Sequence, residues 1–400
     1  MLKIIIMLVS LFVNTAHAYD ADEFKIWLRE FKQEAKAENI SAKTIKATFK
    51  HAKYLPRVIV LDRGQPEFIT PFLSYIDKRV TPSKIAHGRA MLEQYQVLLN
   101  QVEAQYGVPK QVLVSFWGLE TGYGENKGGF GLPSSLMTLA YEGRRAEFFR
   151  TQLLDTMRIV DAGHNNVAGM RGSWAGAMGH MQFMPSTMLK HGVDADGDGR
   201  INIWSSLPDA FSSAANYLAK TGWRKAEPAI LQVKLPEHFD YSLAQLNSRK
   251  STGDWTKLGV LDIENNALPN LENAAILLPQ GWQGSAFMVF SNFDVIMDWN
   301  RSVNYAISVA HLANQFGSSN QFIDDKPIIA GELAENEALS FNQMWALQAK
   351  LNTLGFNCGA PDGFPGLKTQ AAIRQYQATK NLPQDGYASY SLYQQLLQPE

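Results

Sequence analysis

Apolar side chains recur along much of the chain with the period of an amphipathic helix, about 3.6 residues. Near the start, four aromatic or aliphatic residues fall at i, i+3, i+4 and i+7: Phe24, Trp27, Leu28 and Phe31. Thr81 and Pro82 are of the types favoured at the N-cap and the first position of a helix. Further helices are predicted over about 81–105, 109–120, 144–162, 209–221 and 302–315.

Between about residues 226 and 289 the pattern becomes mixed. Two short apolar runs there, AILQVKLP and SAFMVF, are typical of strands. We therefore predict a mainly α fold with a minor β element in this region.

The first residues have the features of an export signal. Lys3 precedes an apolar stretch, and Ala16-His17-Ala18 supplies the small residues that a signal peptidase accepts. This predicts a signal peptide over 1–18 and a periplasmic location. An apolar stretch of about ten residues is short for a bilayer, which needs roughly 20, although an N-terminal membrane anchor remains an alternative. No cysteine stands near the cleavage point to serve as a lipobox, and no transmembrane segment is expected in the mature chain.

A polar, weakly periodic stretch over 316–339 predicts a linker between a catalytic domain over 19–315 and a small domain over 340–400. The small domain contains two similar turns, APDGFPG and PQDGYAS, each before a helix-like run. We predict three short helices around a shared core: Trp345, Leu347, Leu351, Ile373, Tyr376, Leu392 and Leu396.

Composition narrows the class of protein. The net charge of −1 gives no drive toward nucleic acid or anionic lipid, and 46% hydrophobic residues can form a substantial core. The lone cysteine, Cys358, excludes an intrachain disulfide and cysteine-based zinc sites, and is interpreted as a small buried residue. The chain has no HExxH, GxSxG, GxxxxGK[ST] or GxGxxG motif, so metalloprotease, serine hydrolase and nucleotide-binding functions lack support.

Four glycine-rich or polar stretches stand out in this helical pattern, and such segments carry function more often than cores do. SFWGLETGYGENKGGFG places Glu120 and Glu125 after an apolar run. The other three are GSWAGAMGHMQFMPS, DADGDGRINIW and NFDVIMDWNRSVNYA.

Taken together these stretches resemble the membrane-bound lytic transglycosylase B family of cell-wall enzymes. The resemblance spans about 20–315 and includes RGQPEF and TLAYEGRRAEFF. The tail resembles a three-helix peptidoglycan-binding domain through DGFPGLKTQAAIRQYQ and LPQDGYAS. The family resemblance implies a lysozyme-like helical core that acts on peptidoglycan glycan strands.

Glu120 matches the single catalytic acid of the family. Residue chemistry agrees, because partial desolvation beside Phe116, Trp117 and Leu119 should raise its pKa and keep it protonated near neutral pH. The resemblance implies that Glu120 first protonates the bridge oxygen and then removes the proton from the C6 hydroxyl of muramic acid, giving a 1,6-anhydro sugar. Glu125 is expected to be solvated and not a second catalytic carboxylate.

The resemblance also implies a set of substrate-binding residues: Ser173, Gln182, Phe183, Met184, Tyr217, Trp299, Asn300 and Tyr305. The glycines of the second stretch, Gly172, Gly176 and Gly179, would let backbone groups approach a sugar. Plain core packing is the alternative for Phe183 and Met184. The family usually has Tyr-Asn where this chain has Trp299-Asn300, so the role of that hydroxyl is open here. His180 has no counterpart in the pattern and is interpreted as structural.

The third stretch has the spacing of a calcium loop. Asp194, Asp196 and Asp198 occupy positions 1, 3 and 5, and Arg200 can offer its backbone carbonyl. In the family a later aspartate, here Asp209, closes the loop. The resemblance thus implies a structural Ca²⁺ and no cofactor for the chemistry, and a turn without metal is the alternative.

The leading hypothesis is a lytic transglycosylase that cleaves the β-1,4 bond between N-acetylmuramic acid and N-acetylglucosamine. A hydrolytic muramidase, a non-catalytic peptidoglycan-binding scaffold and, more remotely, a calcium sensor are the alternatives. Peptidoglycan is the expected partner, and cell-wall synthesis proteins are candidate protein partners.

Overall fold

The computed structural model describes residues 20–63, 70–142, 145–317 and 339–397. The predicted signal peptide, most of the RGQPEF motif and most of the predicted linker lie outside these ranges. Contacts group the chain into two compact units, unit 1 with residues 1–63 and 129–176, and unit 2 with residues 64–128 and 177–400. Within the described ranges, no helix combines the length and the hydropathy that a membrane crossing needs.

Unit 1 is helical with one small ribbon. Asp20 caps its first helix by accepting hydrogen bonds from the N–H groups of Asp22 and Glu23. Phe24 and Phe31 are buried, as the periodicity predicts. The described elements are α1 (Ala21–Ala37), α2 (Ala42–Phe49), α3 (Pro56–Arg63), β1 (Phe130–Gly131), α8 (Leu132–Glu142), α9 (Ala146–Asp161) and β2 (Arg171–Gly172), with β1 antiparallel to β2.

Unit 2 carries most of the remaining helices. Thr81 caps α5 through its side-chain oxygen and Pro82 opens it, as predicted. The helices before the sheet are α4 (Phe72–Arg79), α5 (Pro82–Gln94), α6 (Gln96–Tyr106), α7 (Lys110–Thr121), α10 (Pro185–His191) and α11 (Leu207–Thr221). After the sheet come α13 (Ser291–Trp299) and α14 (Val303–Gln315).

The single helix predicted over 81–105 is in fact two helices that meet at Tyr95. Tyr95 has φ −106° and ψ 22°, outside helical geometry. No glycine or proline marks the break in the sequence. The Tyr95 ring instead packs edge-on against Trp117 at 5.9 Å between ring centroids, so a tertiary contact accompanies a break that has no local signal.

The region predicted to contain strands forms a four-stranded antiparallel sheet. Its elements are β3 (Ile230–Lys234), α12 (Thr252–Lys257), β4 (Leu261–Asp262), β5 (Ala275–Leu277) and β6 (Ala286–Val289), in the strand order β4-β3-β6-β5. The two apolar runs quoted above supply β3 and β6, which pair with Ile230 opposite Val289. Trp255 is fully buried beneath the sheet, and its indole N–H donates to the Ala274 carbonyl.

The C-terminal part forms three helices, α15 (Phe341–Thr353), α16 (Leu367–Thr379) and α17 (Tyr390–Leu397). Six of the seven predicted core residues are buried together, but the prediction for Trp345 is wrong. Trp345 is 49% exposed and Met344 is buried instead, because the buried stripe of α15 includes Met344 and not its neighbour. Cys358 is buried as predicted, and burial raises the pKa of its thiol to about 11.

The two similar Asp-Gly turns are each held by a buried glutamine. Gln348 accepts hydrogen bonds from the N–H groups of Asp362 and Gly363. Gln377 accepts one from the N–H of Gly386 and donates to Asp385. This repeated arrangement explains why the two turns resemble each other in sequence, and it gives them a structural role.

Candidate active site

Glu120 lies in the last turn of α7, the most apolar helix of unit 2. The residues before it, from Val112 to Leu119, are all buried, whereas Glu120 is half-buried. Gly122 ends the helix with φ 59°, and the N–H groups of Gly122 and Tyr123 donate to the carbonyls of Gly118 and Trp117. Glycine suits this left-handed position because it has no Cβ. The helix therefore stops directly after the carboxyl that it carries.

Two side chains from the opposite end of the unit converge on that carboxyl. The indole N–H of Trp299, at the end of α13, donates to Oε1 of Glu120 over 3.0 Å. The hydroxyl of Tyr305, in the first turn of α14, makes a short hydrogen bond to the same oxygen. Since Oε1 accepts from both donors, the proton of the neutral acid belongs on Oε2.

The turn between α13 and α14 brings these two donors to one point. Asn300 has an extended backbone and caps α13, and its side-chain oxygen accepts from the N–H of Ser302. Ser302 in turn caps α14 by accepting from the N–H of Tyr305. Side-chain caps of this kind fix where helices begin, so the turn sets the direction of both Trp299 and Tyr305.

Tyr305 is built to remain a neutral donor. It is 3% exposed. Burial and the nearby Glu120 carboxylate hold the pKa of the Tyr305 hydroxyl well above its usual range. The phenol is therefore protonated at physiological pH and can stabilise a carboxylate on Glu120.

Trp299 is the centre of an aromatic cluster over the carboxyl. Its ring lies 4.5 Å from Phe116, 5.2 Å from Phe183 and 5.1 Å from Tyr217, centroid to centroid. The sequence suggested a sugar-stacking role for Trp299. The structure adds a direct hydrogen bond to Glu120, which the sequence did not indicate because the two residues are 179 positions apart.

A loop over 177–184 is joined to the end of α7 through His180, which sequence reasoning treated only as structural. His180 is buried; its Nδ1 accepts from the indole N–H of Trp117, and its carbonyl accepts from the hydroxyl of Thr121. Its backbone N–H donates to the carbonyl of Ile203. These bonds connect the catalytic helix to the loop on either side of Glu120.

Gln182 and Gly179 have backbone reasons for their identity. Gln182 adopts φ 48°, which is strained for a residue with a side chain. Its amide donates to the carbonyls of Lys127 and Gly179. At Gly179, with φ 68°, an added Cβ would lie 2.4 Å from the carbonyl oxygen of Ile203, so this glycine is needed for packing inside the protein.

The pKa of His180 is lowered to about 4 by burial and by the nearby Lys127 ammonium. Between about pH 6.5 and pH 4 the unfolded chain binds a proton here that the folded chain does not. The unfolding free energy should therefore fall with pH in this range, by up to about 1.4 kcal/mol per pH unit from this residue. Urea unfolding of wild type and His180→Asn across the range measures the effect.

Asparagine at this position can keep an acceptor for Trp117 while it removes the titration, so the pH slope of the variant should be shallower than that of the wild type. Two equal slopes would contradict the assignment. Other histidines with lowered pKa values, His191 and His311, are common to both proteins and cancel in the comparison.

The remaining predicted binding residues are placed as follows. Phe183 is buried and Met184 half-buried at the start of α10. Ser173 follows β2 in unit 1, and its carbonyl accepts from the N–H of Gly176. Glu125 is exposed, as expected. The sugar contacts assigned to these and the other predicted residues stay predictions.

The acidic loop brings three carboxylates together. Oxygen atoms of Asp194, Asp196 and Asp209 lie within 4.8 Å of one another. Asp209 is fully buried and accepts from the N–H groups of Ala195 and Asn202. Within the described ranges these three carboxylates form no salt bridge, and clustered carboxylate oxygens are the ligands that Ca²⁺ prefers. The cluster therefore fits a calcium ion, whereas the Asp198 carboxylate accepts from the N–H of Arg200.

One half-buried carboxyl, held by two donors under aromatic rings in a mainly helical unit, defines a lysozyme-like enzyme that acts on glycans. The profile of the family described as "Transglycosylase SLT domain" matches residues 23–314, and that of the "Putative peptidoglycan binding domain" matches residues 342–396. The first match covers well over half of the chain, so the chain belongs to the SLT transglycosylase family. It is a lytic transglycosylase by family and carries a C-terminal peptidoglycan-binding domain.

Individual relatives agree with this placement. The chain is 32% identical over 250 residues to membrane-bound lytic murein transglycosylase B of Escherichia coli, covering 60% of this chain and 66% of that protein, just under two thirds. The structure of SltB3 from Pseudomonas aeruginosa in complex with NAG-anhNAM-pentapeptide matches with 40% identity and a TM-score of 0.89, over 94% of this chain and 99% of that one. Escherichia coli Slt35 in complex with calcium matches with 28% identity and a TM-score of 0.64, over 72% and 92%.

Proposed function

We propose that this protein cleaves the β-1,4 bond between N-acetylmuramic acid and N-acetylglucosamine in peptidoglycan and leaves 1,6-anhydromuramic acid ends. The observation that carries the proposal is the Glu120 carboxyl, half-buried at the end of α7 and bonded through one oxygen to Trp299 and Tyr305. A wall-binding scaffold would have no need of such an arrangement.

In the first step the Glu120 carboxyl gives its proton to the bridge oxygen, and the bond from that oxygen to C1 of the muramic acid breaks. General acid help of this kind is worth roughly 10²–10⁴ in rate. The N-acetyl group of the substrate stabilises the electron-poor C1. The donors on Oε1 favour the carboxylate that forms as the proton leaves.

In the second step the Glu120 carboxylate takes the proton of the C6 hydroxyl, and O6 bonds to C1 of the same sugar. The acid is regenerated and no water is consumed. One carboxyl thus serves both steps, which agrees with the exposed position of Glu125.

The test is mass spectrometry of the products released from purified sacculi. Muropeptides that end in 1,6-anhydromuramic acid support the proposal. Products with reducing muramic acid and no anhydro ends would instead identify a hydrolytic muramidase.

The Asp194–Asp196–Asp209 cluster is proposed to hold a structural calcium ion, with Asp198 and the Arg200 carbonyl as further ligands predicted from the sequence. Bound there, the ion would supply positive charge to the buried Asp209 carboxylate. The following residues, Ile203 and Trp204, accept hydrogen bonds from His180 and Lys127, so the ion would also steady the loop that contacts α7.

Calcium at ten times its Kd should raise the unfolding free energy by about 1.4 kcal/mol, which corresponds to a few degrees in Tm. Scanning calorimetry with calcium and with a chelator measures this shift. Asp196→Asn should abolish it, because one carboxylate of the cluster is lost, whereas Asp254→Asn on α12 should leave it unchanged. No shift in the wild type at millimolar calcium, about the Kd of extracellular calcium modules, would exclude the site.

The predicted signal peptide and the domain limits at 315 and 340 support an exported enzyme whose tail holds it on its polymer. Such tethering raises the effective concentration of enzyme at the glycan. We include periplasmic location and contact with cell-wall synthesis proteins in the proposal on the sequence alone. Fractionation of cells that express the tagged full chain would test the location.

A further inference from the structure

An open depression of about 620 Å³ lies beside the aromatic cluster, between the ends of α10 and α11 and the end of α13. Six residues line it: Lys190, His191, Tyr217, Lys220, Thr221 and Asp298. None of the activity proposed above assigns it a role.

The depression carries an excess of positive charge. Lys190 and Lys220 are exposed and lie in the last turns of two different helices. Asp298 is the one carboxylate of the lining, and Arg301 acts electrostatically on Tyr217 from nearby. Two ammonium groups against one carboxylate favour an anionic ligand.

A buried polar atom in the lining has no hydrogen-bond partner. His191 is 6% exposed, and among the described residues its Nδ1 has none. Burial and the two lysines lower the pKa of His191, so its ring is neutral. Buried polar atoms are almost always satisfied in folded proteins, and this exception lies in the wall of the depression.

One aromatic ring separates the depression from the catalytic carboxyl. Tyr217 lines the depression and packs on His191 at 4.9 Å and on Trp299 at 5.1 Å, centroid to centroid. Trp299 in turn donates to Glu120. A group held in the depression is therefore attached to the substrate within a few bonds of the sugar that is cut.

We propose that this depression is the subsite for a carboxylate of the peptide that muramic acid carries on its lactyl group. The inference rests on the proposed function and specifies the substrate further, as glycan that still bears its peptide. Peptidoglycan sugars are themselves uncharged, so the peptide supplies the anions nearest to the scissile bond. Lys190 and Lys220 bind the carboxylate by charge-assisted hydrogen bonds, and Tyr217 packs against the chain that leads to it.

The two lysines also have a simpler explanation, because basic residues in the last turn of a helix stabilise its negative end. That explanation predicts a loss of thermal stability with no change in substrate choice. It gives no reason for two helix ends, a neutral buried histidine and an aromatic wall to share one depression beside the active site.

The experiment compares two substrates: glycan strands that carry their peptides, and the same strands stripped by an amidase. Wild type should cut the peptide-bearing strands with the higher kcat/KM. Lys190→Met combined with Lys220→Met should lower kcat/KM on them about tenfold, mainly through KM, and leave the stripped strands within twofold. Lys225→Met, an exposed lysine outside the lining, is the matched control.

Equal losses on both substrates, or no loss on either, would overturn the subsite. Raising the salt concentration should weaken the wild-type preference and leave that of the double variant unchanged. Binding of peptide-bearing fragments to Glu120→Gln, with and without the two lysine changes, gives a readout that is independent of turnover. Absence of anhydro products from wild type on both substrates would instead refute the proposed function itself.

Discussion

Glu120→Gln is expected to lower kcat on purified sacculi by about 10³-fold or more, because the same carboxyl gives a proton in the first step and removes one in the second. Glutamine keeps the size of the side chain and an oxygen that can accept from Trp299 and Tyr305, so the fold should persist. Release of anhydromuropeptides, followed by mass spectrometry, measures the loss, and thermal unfolding verifies that the variant is folded.

Glu125→Gln is the matched control, since it makes the same chemical change five residues away on an exposed side chain. Its activity should lie within twofold of wild type. Unchanged lysis by Glu120→Gln would refute the catalytic assignment and favour the scaffold alternative. A comparable loss in Glu125→Gln would favour a two-carboxylate mechanism.

Tyr305→Phe and Trp299→Phe are expected to lower kcat by about 10- to 100-fold each and to change KM little. Each change removes one of the two hydrogen bonds to Oε1 of Glu120, and a hydrogen bond to a charged group contributes about 1.5–3 kcal/mol. The bond is strongest when Glu120 is ionised, so its loss acts on the reaction more than on substrate binding. Steady-state kinetics on soluble glycan strands separates kcat from KM.

Tyr123→Phe is the control for the deletion of a phenol near α7. Its hydroxyl donates to the carbonyl of Lys84 and not to Glu120, so it should lower stability without a large effect on kcat. A KM effect as large as the kcat effect in Trp299→Phe would indicate that the indole acts mainly as a sugar-stacking surface, as its position in the sequence first suggested.

The two donors share an acceptor, so their effects should not be additive. After one donor is removed, the other can move to the best geometry on Oε1, and the double variant should lose less than the product of the single losses. Strict additivity would indicate that Trp299 and Tyr305 act on different steps.

Local sequence was a good guide wherever one segment contains the whole signal. The spacing of apolar residues predicted α1, α7, α11 and α14 to within a few residues, and two apolar runs predicted the strands β3 and β6. Glu120 stands out in its own segment, because an apolar helix that ends in a carboxylate and glycines is unusual by itself. The same is true of the Asp-rich loop, in which three of the aspartates named from sequence cluster.

Local sequence failed where the decisive contact comes from a distant segment. The break at Tyr95 and the exposure of Trp345 depend on which neighbours pack against each helix. Gly179 appeared to leave room for a sugar, yet its missing side chain makes room for the Ile203 carbonyl. His180 showed no pattern at all and still holds the catalytic helix to its neighbouring loop.

The sequence by itself determined the helical class, the identity of the catalytic acid and the likeness to a family, since these depend on periodicity and on motifs read within single segments. Only the tertiary structure decided that Trp299 and Tyr305 meet on one oxygen of Glu120, and that two lysines from separate helices border the same depression beside it. The physical reason is that hydrogen bonds and charges act over a few ångströms in space. Residues 179 and 185 positions from Glu120 become its partners only when the packed helices bring them there.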